Sequence, residues 1–245
     1  HLKFGILYHQ ALELYDKLMA GAWPYEGEKT THDNALDLVI QDALEKTWLE
    51  GDPVVEAGPK DWGHNLKTRE TLIRSIIWYL DEFKDHPTKT VILANGQPAV
   101  ELSFRFELDW GPSRHNPQEY GASPADMALG RFQPYVLCGH IDRLVEFNSD
   151  FYVTDRKTTS TTPGAYYFDG YNPDNQMSLY TLAAKIIYNT PVKGVIIDAA
   201  QIAVGFTRFV RGFTHRTESQ LQEWLDDTRE WLRLAEDYAT RSHWP

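Results

Sequence analysis

Cysteine is almost absent from this chain of 245 residues, in which Cys138 is the single thiol. One cysteine excludes an internal disulfide, a four-cysteine zinc site and a cysteine-ligated iron–sulfur cluster within the chain. We therefore expect no iron–sulfur cofactor. The scarcity of cysteine also favours a reducing compartment, and we predict that the protein is cytoplasmic.

Long hydrophobic runs and an excess of positive charge are also missing. No apolar run approaches the roughly 20 residues that cross a bilayer, and the first residues lack a signal-peptide pattern, so we predict no membrane contact. The chain has 24 Lys and Arg against 35 Asp and Glu, a formal charge of −11. This balance argues against broad electrostatic adhesion to nucleic acid but is compatible with a local basic patch.

The chain does contain enough apolar residues for a substantial core: they make up 42% of it, and eight residues are Trp. Its length predicts one large domain, or at most two small ones. We expect a single domain over residues 1–245, with a helical part at about 1–90, a sheet core at about 98–213 and a C-terminal helix at about 217–240. Because a helical pattern begins at once, we also expect that a natural lead-in segment is missing.

Apolar residues spaced three and four apart predict helices in the first third of the chain. The second helix is expected from Ala35 to Trp48, and the third from about Leu66 to Phe83. The first helix is predicted from the apolar set Phe4, Leu7, Tyr8, Ala11, Leu12, Tyr15 and Leu18.

The period then changes to two, which indicates strands. Apolar and polar residues alternate over Glu101–Leu108, as in a half-buried strand. The connection Trp110–Pro134 exceeds the usual length and is a candidate substrate-contacting or mobile segment. Tyr135–Phe147 and Phe151–Lys157 are predicted to form a β-hairpin.

Another helix and two more strands are expected before a final helix. Asn172 and Pro173 are predicted as the N-cap and first residue of a helix that reaches about Tyr188. Strands are predicted at Val192–Val204 and Phe206–Phe213. The final helix is expected to begin with a Thr217 and Gln220 capping box and to bury Leu221, Trp224, Leu225, Trp231 and Leu232. This order predicts an α+β (mixed α/β) fold, in which helices flank a central mixed sheet.

The hairpin carries the residues with the clearest chemical use. Asp155 and Lys157 share one face of the second strand because side chains alternate. Asp142, on the first strand, joins them only if the turn has the right length. If paired residue numbers sum to 299, as a two-residue loop at Ser149–Asp150 or a four-residue loop would give, Asp142 lies opposite Lys157. We predict an even-numbered loop or a compensating bulge.

Two carboxylates and an ammonium on one face suit a hard divalent cation such as Mg²⁺ or Mn²⁺. Lys157 would then orient or help to deprotonate a water molecule, or stabilise charge on a phosphate. The alternative is a surface hairpin with one cross-strand salt bridge, and Asp-x-Lys alone favours that alternative. Two further signals accompany the hairpin: Gln176 and Tyr180 are neighbours on one helix face, and His9 lies among apolar positions of the first helix. Taken singly, Tyr180 and His9 are more typical of core packing.

Taken together, these motifs resemble the RecB-like branch of the PD-(D/E)XK nuclease superfamily, in its members without an iron–sulfur cluster, such as phage-type exonucleases. Each motif alone is weak, but four in this order are specific. The resemblance implies a restriction-endonuclease-like core, in which the helix from Gly5 to Glu13 supplies a metal-binding histidine. It implies metal ligation by His9, Asp142, Asp155 and the backbone carbonyl of Arg156, with Lys157 catalytic and Gln176 and Tyr180 supporting the site and the DNA.

Some relatives add an acidic ligand on the strand before the hairpin. Glu101 is the better candidate and Glu107 the lesser, although each also fits the solvent side of an amphipathic strand. The predicted DNA-binding residues are Arg143 and Arg156 beside the site, Thr158 after it, and Arg208 and Arg211 in a stretch without acids.

We therefore predict a metal-dependent deoxyribonuclease that hydrolyses phosphodiester bonds with a metal-activated water. The resemblance implies an exonuclease of DNA recombination, DNA repair or phage DNA processing in a bacterial or phage-infected cell, with DNA as partner and a helicase or recombination protein as a further candidate partner. Two alternatives stay open: a non-cleaving nucleic-acid-binding or assembly module of a recombination complex, and a hydrolase of another phosphate ester. Endonuclease action, polarity and oligomeric state are not predicted.

Overall fold

The computed structural model describes residues 2–21, 30–47, 68–108, 135–203 and 205–240. These residues fall into two compact units. The larger unit holds the described residues of His1–Leu102 and Ile141–His215, and the smaller one those of Ser103–His140 and Arg216–Pro245. A single domain over residues 1–245 stays a prediction.

Six helices and a six-stranded mixed sheet are formed by the described residues, which confirms the predicted α+β class. None of these helices combines the length and the hydropathy needed to span a bilayer. The helices are α1 (Leu2–Met19), α2 (His32–Thr47), α3 (Arg69–Phe83), α4 (Ala165–Asp169), α5 (Asn175–Ile187) and α6 (Glu218–Thr240). The strands are β1 (Lys89–Thr90), β2 (Val100–Leu108), β3 (Tyr135–Phe147), β4 (Asp150–Thr159), β5 (Val192–Ala203) and β6 (Phe206–His215).

The sheet has the order β1-β3-β4-β5-β6, and β2 also pairs with β3. Strands β4 and β5 are parallel, whereas β1 with β3, β3 with β4 and β5 with β6 are antiparallel. Strand β5 is buried along almost its whole length, as expected for a strand covered on both faces. Arg156 of β4 contacts α1 and Lys157 contacts α5, so helices cover opposite faces of the sheet.

The core of the larger unit follows from the apolar spacing of its first helices. Phe4, Tyr8 and Leu12 of α1 are buried and pack in one cluster with Val39 of α2 and Ile76 of α3. The α1 pattern therefore predicts the buried face correctly. Trp48, Leu66 and the long connection Trp110–Pro134 lie outside the described residues.

Two expectations about helix ends and burial are wrong. Helix α5 is capped by Asp174, whose carboxylate accepts a hydrogen bond of 3.0 Å from the Met177 amide, so Asn172 and Pro173 belong to the preceding turn. An aspartate oxygen satisfies a free amide of the first helical turn, which explains the later start. Trp231 of α6 is 73% exposed rather than buried.

The capping box of α6 is confirmed. Thr217 and Gln220 exchange hydrogen bonds of 2.9 and 3.2 Å between side chain and main chain. Helix α6 therefore begins where the sequence predicts.

The hairpin turn between β3 and β4 has an even number of residues, as predicted, but lies one residue earlier than expected. Asn148 and Ser149 have positive φ values of 51° and 66°, the backbone of a two-residue hairpin turn. Paired residues sum to 297, from Phe147 with Asp150 to Arg143 with Thr154, so the sum of 299 is wrong. Continued by one step, this register places Asp142 opposite Asp155, on the same face of the hairpin.

Candidate active site and metal centre

A cleft of about 510 Å³ lies within the larger unit, between α1 and strands β2, β3 and β4. These four elements all bring titratable groups to its walls. Among the lining residues are His9 and Glu13 of α1, Glu101 of β2, Asp142 of β3, and Lys157 and Thr158 of β4. The cleft therefore unites several of the residues that sequence motifs single out.

His9 and Asp142 are neighbouring candidate metal ligands, with 3.6 Å between the imidazole Nδ1 and the carboxylate Oδ2. Burial lowers the pKa of His9, while the Asp142 carboxylate and the backbone of Arg156 act to raise it. A lowered pKa keeps the imidazole neutral near pH 7, the form that can donate a lone pair to a metal. The position of His9 beside an acid is unlike that of a core histidine.

Asp142 is anchored by the main chain of the neighbouring strand. The amide of Arg156 donates a hydrogen bond of 2.7 Å to Asp142 Oδ2. This bond fixes the carboxylate at the point where β3 and β4 stop pairing, one residue beyond Arg143 and Thr154. The bond restricts the movement of the Asp142 side chain, so the carboxylate keeps a fixed position at the cleft.

Asp155 is only 3% exposed and pairs with Lys157, whose Nζ lies 2.8 Å from Oδ2 and 3.1 Å from Oδ1. Burial raises the pKa of Asp155 to about 7, although the Lys157 ammonium opposes the rise. Asp142 adds a repulsive charge that works with burial. Without a further cation, negative charge at this position is therefore costly.

Lys157 is held from two sides. Besides Asp155, its ammonium donates a hydrogen bond of 2.9 Å to the side-chain oxygen of Gln176 on α5. The side-chain amide nitrogen of Gln176 in turn donates a hydrogen bond of 2.9 Å to the hydroxyl of Tyr180, one helical turn further on. Tyr180 is itself buried, so this residue packs in the core and also holds Gln176.

Glu101 lines the cleft, and its φ of 52° is unusual for a residue other than glycine. Burial raises its pKa to about 7, and the charges of Asp142 and Glu13 act in the same direction. Glu107, the lesser candidate, belongs to the smaller unit and not to the unit that contains the cleft.

The donor atoms suit a divalent cation, but the side chains alone do not form a complete cage. Among the described residues, no three His, Cys, Asp or Glu side chains converge closely enough to hold an ion. Burial, with the charge of Asp142, raises the pKa values of Asp155 and Glu101, and a divalent ion beside them would favour the charged carboxylates. An imidazole nitrogen with carboxylate and main-chain oxygens is a donor set that fits Mn²⁺ or Mg²⁺.

Three of the predicted DNA-binding arginines point away from the face that carries Asp155 and Lys157. Arg143 and Arg156 both pair with Asp16 of α1, and Arg211 pairs with Asp198. Arg143 and Arg156 each follow a site acid and so face the other side of the sheet. Arg211 faces that side as well, because it pairs in register with Asp198, which pairs with Arg156. Their role as phosphate-binding residues stays a prediction, and the ion pairs with Asp16 and Asp198 speak against it.

Thr158 and Arg208 are better placed for a nucleic acid. Thr158 lines the cleft. Thr159 pairs with Gln201, and Gln201 pairs with Arg208, so the exposed Arg208 lies on the same face of the sheet as Lys157.

Two acids of α1 have no role assigned to them by the sequence motifs, although Glu13 ends the motif that contains His9. Glu13 lines the cleft, and the buried Asp16 binds both arginines of the hairpin. A signal for Asp16 exists in the sequence, because it lies four and eight residues after Leu12 and Tyr8, on the apolar face of the helix. An acid at such a position indicates a buried partner.

The model of one protein family matches the chain over nearly its whole length. This family is described as the PD-(D/E)XK nuclease superfamily, and the match extends over residues 1–243. No curated protein matches the chain.

Proposed function

The chain belongs to the PD-(D/E)XK nuclease superfamily, a group of nucleases that use divalent metal ions, and from this premise we propose that it is a metal-dependent deoxyribonuclease of the RecB-like branch. The observation that carries the proposal is the meeting of His9, Asp142 and Lys157, from three separate segments, in one cleft. A surface hairpin with a single salt bridge gives no reason for a histidine of α1 to lie there.

The metal ligands in this proposal are His9, Asp142, Asp155 and the backbone carbonyl of Arg156, with Glu101 as a further candidate. An imidazole ligand favours Mn²⁺ over Mg²⁺, and both ions remain candidates. When bound, such an ion lowers the pKa of a water ligand and offsets the charge of a phosphate.

Lys157 supplies positive charge at a fixed point of the cleft wall. Asp155 and Gln176 hold its ammonium, and Tyr180 holds Gln176. A lysine fixed in this way can orient the attacking water or stabilise the negative charge that develops on the phosphate. Thr158 would contact the DNA backbone from the wall of the cleft, and Arg208 from the face of the sheet that carries Lys157.

The finer assignment rests on the motif resemblance. It favours an exonuclease of DNA recombination, DNA repair or phage DNA processing in the cytoplasm of a bacterial or phage-infected cell, working with a helicase or another recombination protein.

The direct test incubates the purified protein with linear single-stranded and double-stranded DNA in Mn²⁺, with a chelator as blank. We expect the parent to cleave DNA and Lys157→Ala to lose a factor of about 10²–10⁴ in rate. Lys193→Ala is the matched control, because it removes an exposed lysine of the same sheet that pairs with Asp150. An inactive parent, or full activity of Lys157→Ala, would contradict the proposal.

One observation favours a non-cleaving binding module as the second candidate. Within the described part of the chain, no three His, Cys, Asp or Glu side chains lie close enough together to hold an ion. In addition, Asp155 forms an ion pair with Lys157. A binding module would retain DNA in the presence of the chelator and would not cut it when Mn²⁺ is added.

A further inference from the structure

One carboxylate of α1, Asp16, holds both strands of the hairpin. Its Oδ1 lies 2.9 Å from Nη1 of Arg143 on β3, and its Oδ2 pairs with Nη2 of Arg156 on β4. Asp16 is 4% exposed, and the side chains of both arginines are buried or nearly so. Each oxygen of Asp16 therefore serves a different strand.

The two arginines directly follow the two site acids. Arg143 comes after Asp142, and Arg156 comes after Asp155. Neighbouring residues of a strand face opposite sides, so Asp155 points away from the side on which Arg156 is tied to Asp16, while Asp142 lines the cleft beside His9. The position of Asp16 therefore sets the positions of both acids through one residue each.

Arg156 transmits this restraint to Asp142 as well. Its side chain pairs with Asp16, and its main-chain amide donates to Asp142 Oδ2 at 2.7 Å. Arg156 therefore links Asp16 to Asp142 through a single residue.

Asp16 also shares a helix with the metal-binding candidate His9. The two residues are seven positions apart, which is about two turns, so they lie on the same side of α1. Because the helix is rigid, the ion pairs that hold Asp16 in place also fix the position of His9, two turns away. The 3.6 Å between His9 and Asp142 is the distance that this arrangement controls.

We infer that Asp16 is a positioning residue of the metal centre, which fixes the helix that carries His9 against the two strands that carry Asp142 and Asp155. This inference rests on the proposed function, since it assigns Asp16 a role toward the ion of that site. Asp16 itself does not line the cleft and so does not contact the ion. Its loss should weaken metal binding in protein that is still folded.

The test measures the dissociation constant of Mn²⁺ alone, without DNA, by titration calorimetry of the full chain, with circular dichroism as the check of folding. Asp16→Asn keeps the shape and removes the charge. We expect its Mn²⁺ affinity to fall about tenfold or more, the usual effect of losing a residue that orients metal ligands. Asp198→Asn is the matched control, because Asp198 is a buried carboxylate of the same unit that pairs with Arg211 and Tyr79 instead of the hairpin arginines. It should keep the parental Mn²⁺ affinity within about twofold, whatever its effect on stability.

A second variant, Asp16→Glu, covers the case in which Asp16→Asn does not fold. It keeps the charge and lengthens the side chain by one methylene, so it should fold and still bind Mn²⁺ more weakly than the parent. Parental affinity in folded Asp16→Asn or Asp16→Glu, or an equal loss in Asp198→Asn, overturns the inference alone. A parent that does not bind Mn²⁺ overturns the inference and the proposed function together.

Discussion

The surroundings of Asp155 and Glu101 disfavour the ionised form of both carboxyl groups. Burial raises the pKa of each to about 7, and Asp142 contributes to the rise at both. In the absence of a cation, each therefore binds a proton more tightly than in the unfolded chain, so this part of the stability is present at low pH and is lost as pH rises toward 7. A metal ion would reverse that preference, because it binds the charged form.

The first prediction concerns the pH dependence of Mn²⁺ binding. Between pH 6 and pH 8 the affinity should rise, by up to about tenfold per pH unit for each proton displaced below pH 7, because the ion must replace protons on these acids. His9 adds little above pH 7, since its lowered pKa leaves it already neutral. Calorimetric titrations at three pH values in buffers of different ionisation enthalpy measure both the affinity and the protons released. A flat profile without proton release would contradict this account.

Sequence patterns identify some residues of the proposed site and miss others. His9, Asp142 and Lys157 are found because their spacing to neighbours forms motifs, and the cleft unites them. Asp16 belongs to no motif, and its partners lie more than a hundred residues away in the chain. Such a long-range pairing depends on the packing of α1 on the sheet, which local patterns do not specify.

Helix α5 links local structure to the site at the scale of an element. Asp174 caps its first turn, and Gln176 of that turn holds Lys157. Fraying of the first turn would release Gln176 and leave the ammonium with Asp155 alone. The cap therefore contributes to the site as well as to the stability of the helix.

The second prediction compares two helix caps. Asp174→Ala and Thr217→Ala each remove a side chain that caps a helix, and each should lower the free energy of unfolding by about 1 kcal/mol, or lower Tm by about 2–4 °C. Only Asp174→Ala should also slow DNA cleavage severalfold, because α6 carries none of the proposed site residues. Calorimetric melting and the Mn²⁺-dependent cleavage rate are the two measurements. Equal cleavage rates for the two variants would show that the α5 cap has no part in the site.

Strands and helices of this chain are well predicted where apolar periodicity is strong, as in α1 and the hairpin. The errors fall at the turns before α5 and between β3 and β4, and in the burial of Trp231 on α6. Asn148 suits a positive φ, whereas Ser149 adopts one without a strong preference for it, so propensity did not place the turn at these two residues. The even length of the turn is predicted by a different requirement: both acids must lie on one face of the hairpin to share an ion, and an even-numbered turn puts them there.

At the scale of the whole molecule, the charge of −11 is unusual for a protein proposed to bind DNA. Lys157 and the exposed Arg208 lie on one face of the sheet, while Arg143, Arg156 and Arg211 are neutralised by buried acids. An acidic surface would disfavour DNA binding away from the cleft. Binding should therefore involve few phosphate contacts.

The third prediction follows from this charge distribution. The logarithm of the DNA association constant, measured with Ca²⁺ in place of Mn²⁺, should fall with the logarithm of salt concentration with a slope no steeper than about −4, which corresponds to four or five phosphates. Arg208→Ala should reduce the steepness of the slope by about one. Fluorescence anisotropy over a range of salt concentrations gives both values. A much steeper slope would indicate a broad basic surface and contradict the proposal.

The fold class could be predicted from the order of helices and strands, but the division of the chain into two compact units could not. The smaller unit joins residues of 103–140 to those of 216–245, segments that are distant in sequence. Only tertiary contacts reveal such a division.

The central claim is that His9, Asp142 and Asp155 bind one ion, and a crystal grown in Mn²⁺ tests it most directly. Anomalous scattering from manganese should give a peak in the cleft, at about 2.0–2.3 Å from an imidazole nitrogen of His9 and from carboxylate oxygens of Asp142 and Asp155. An empty cleft at saturating Mn²⁺, or an ion bound without His9 and Asp142, would contradict the account.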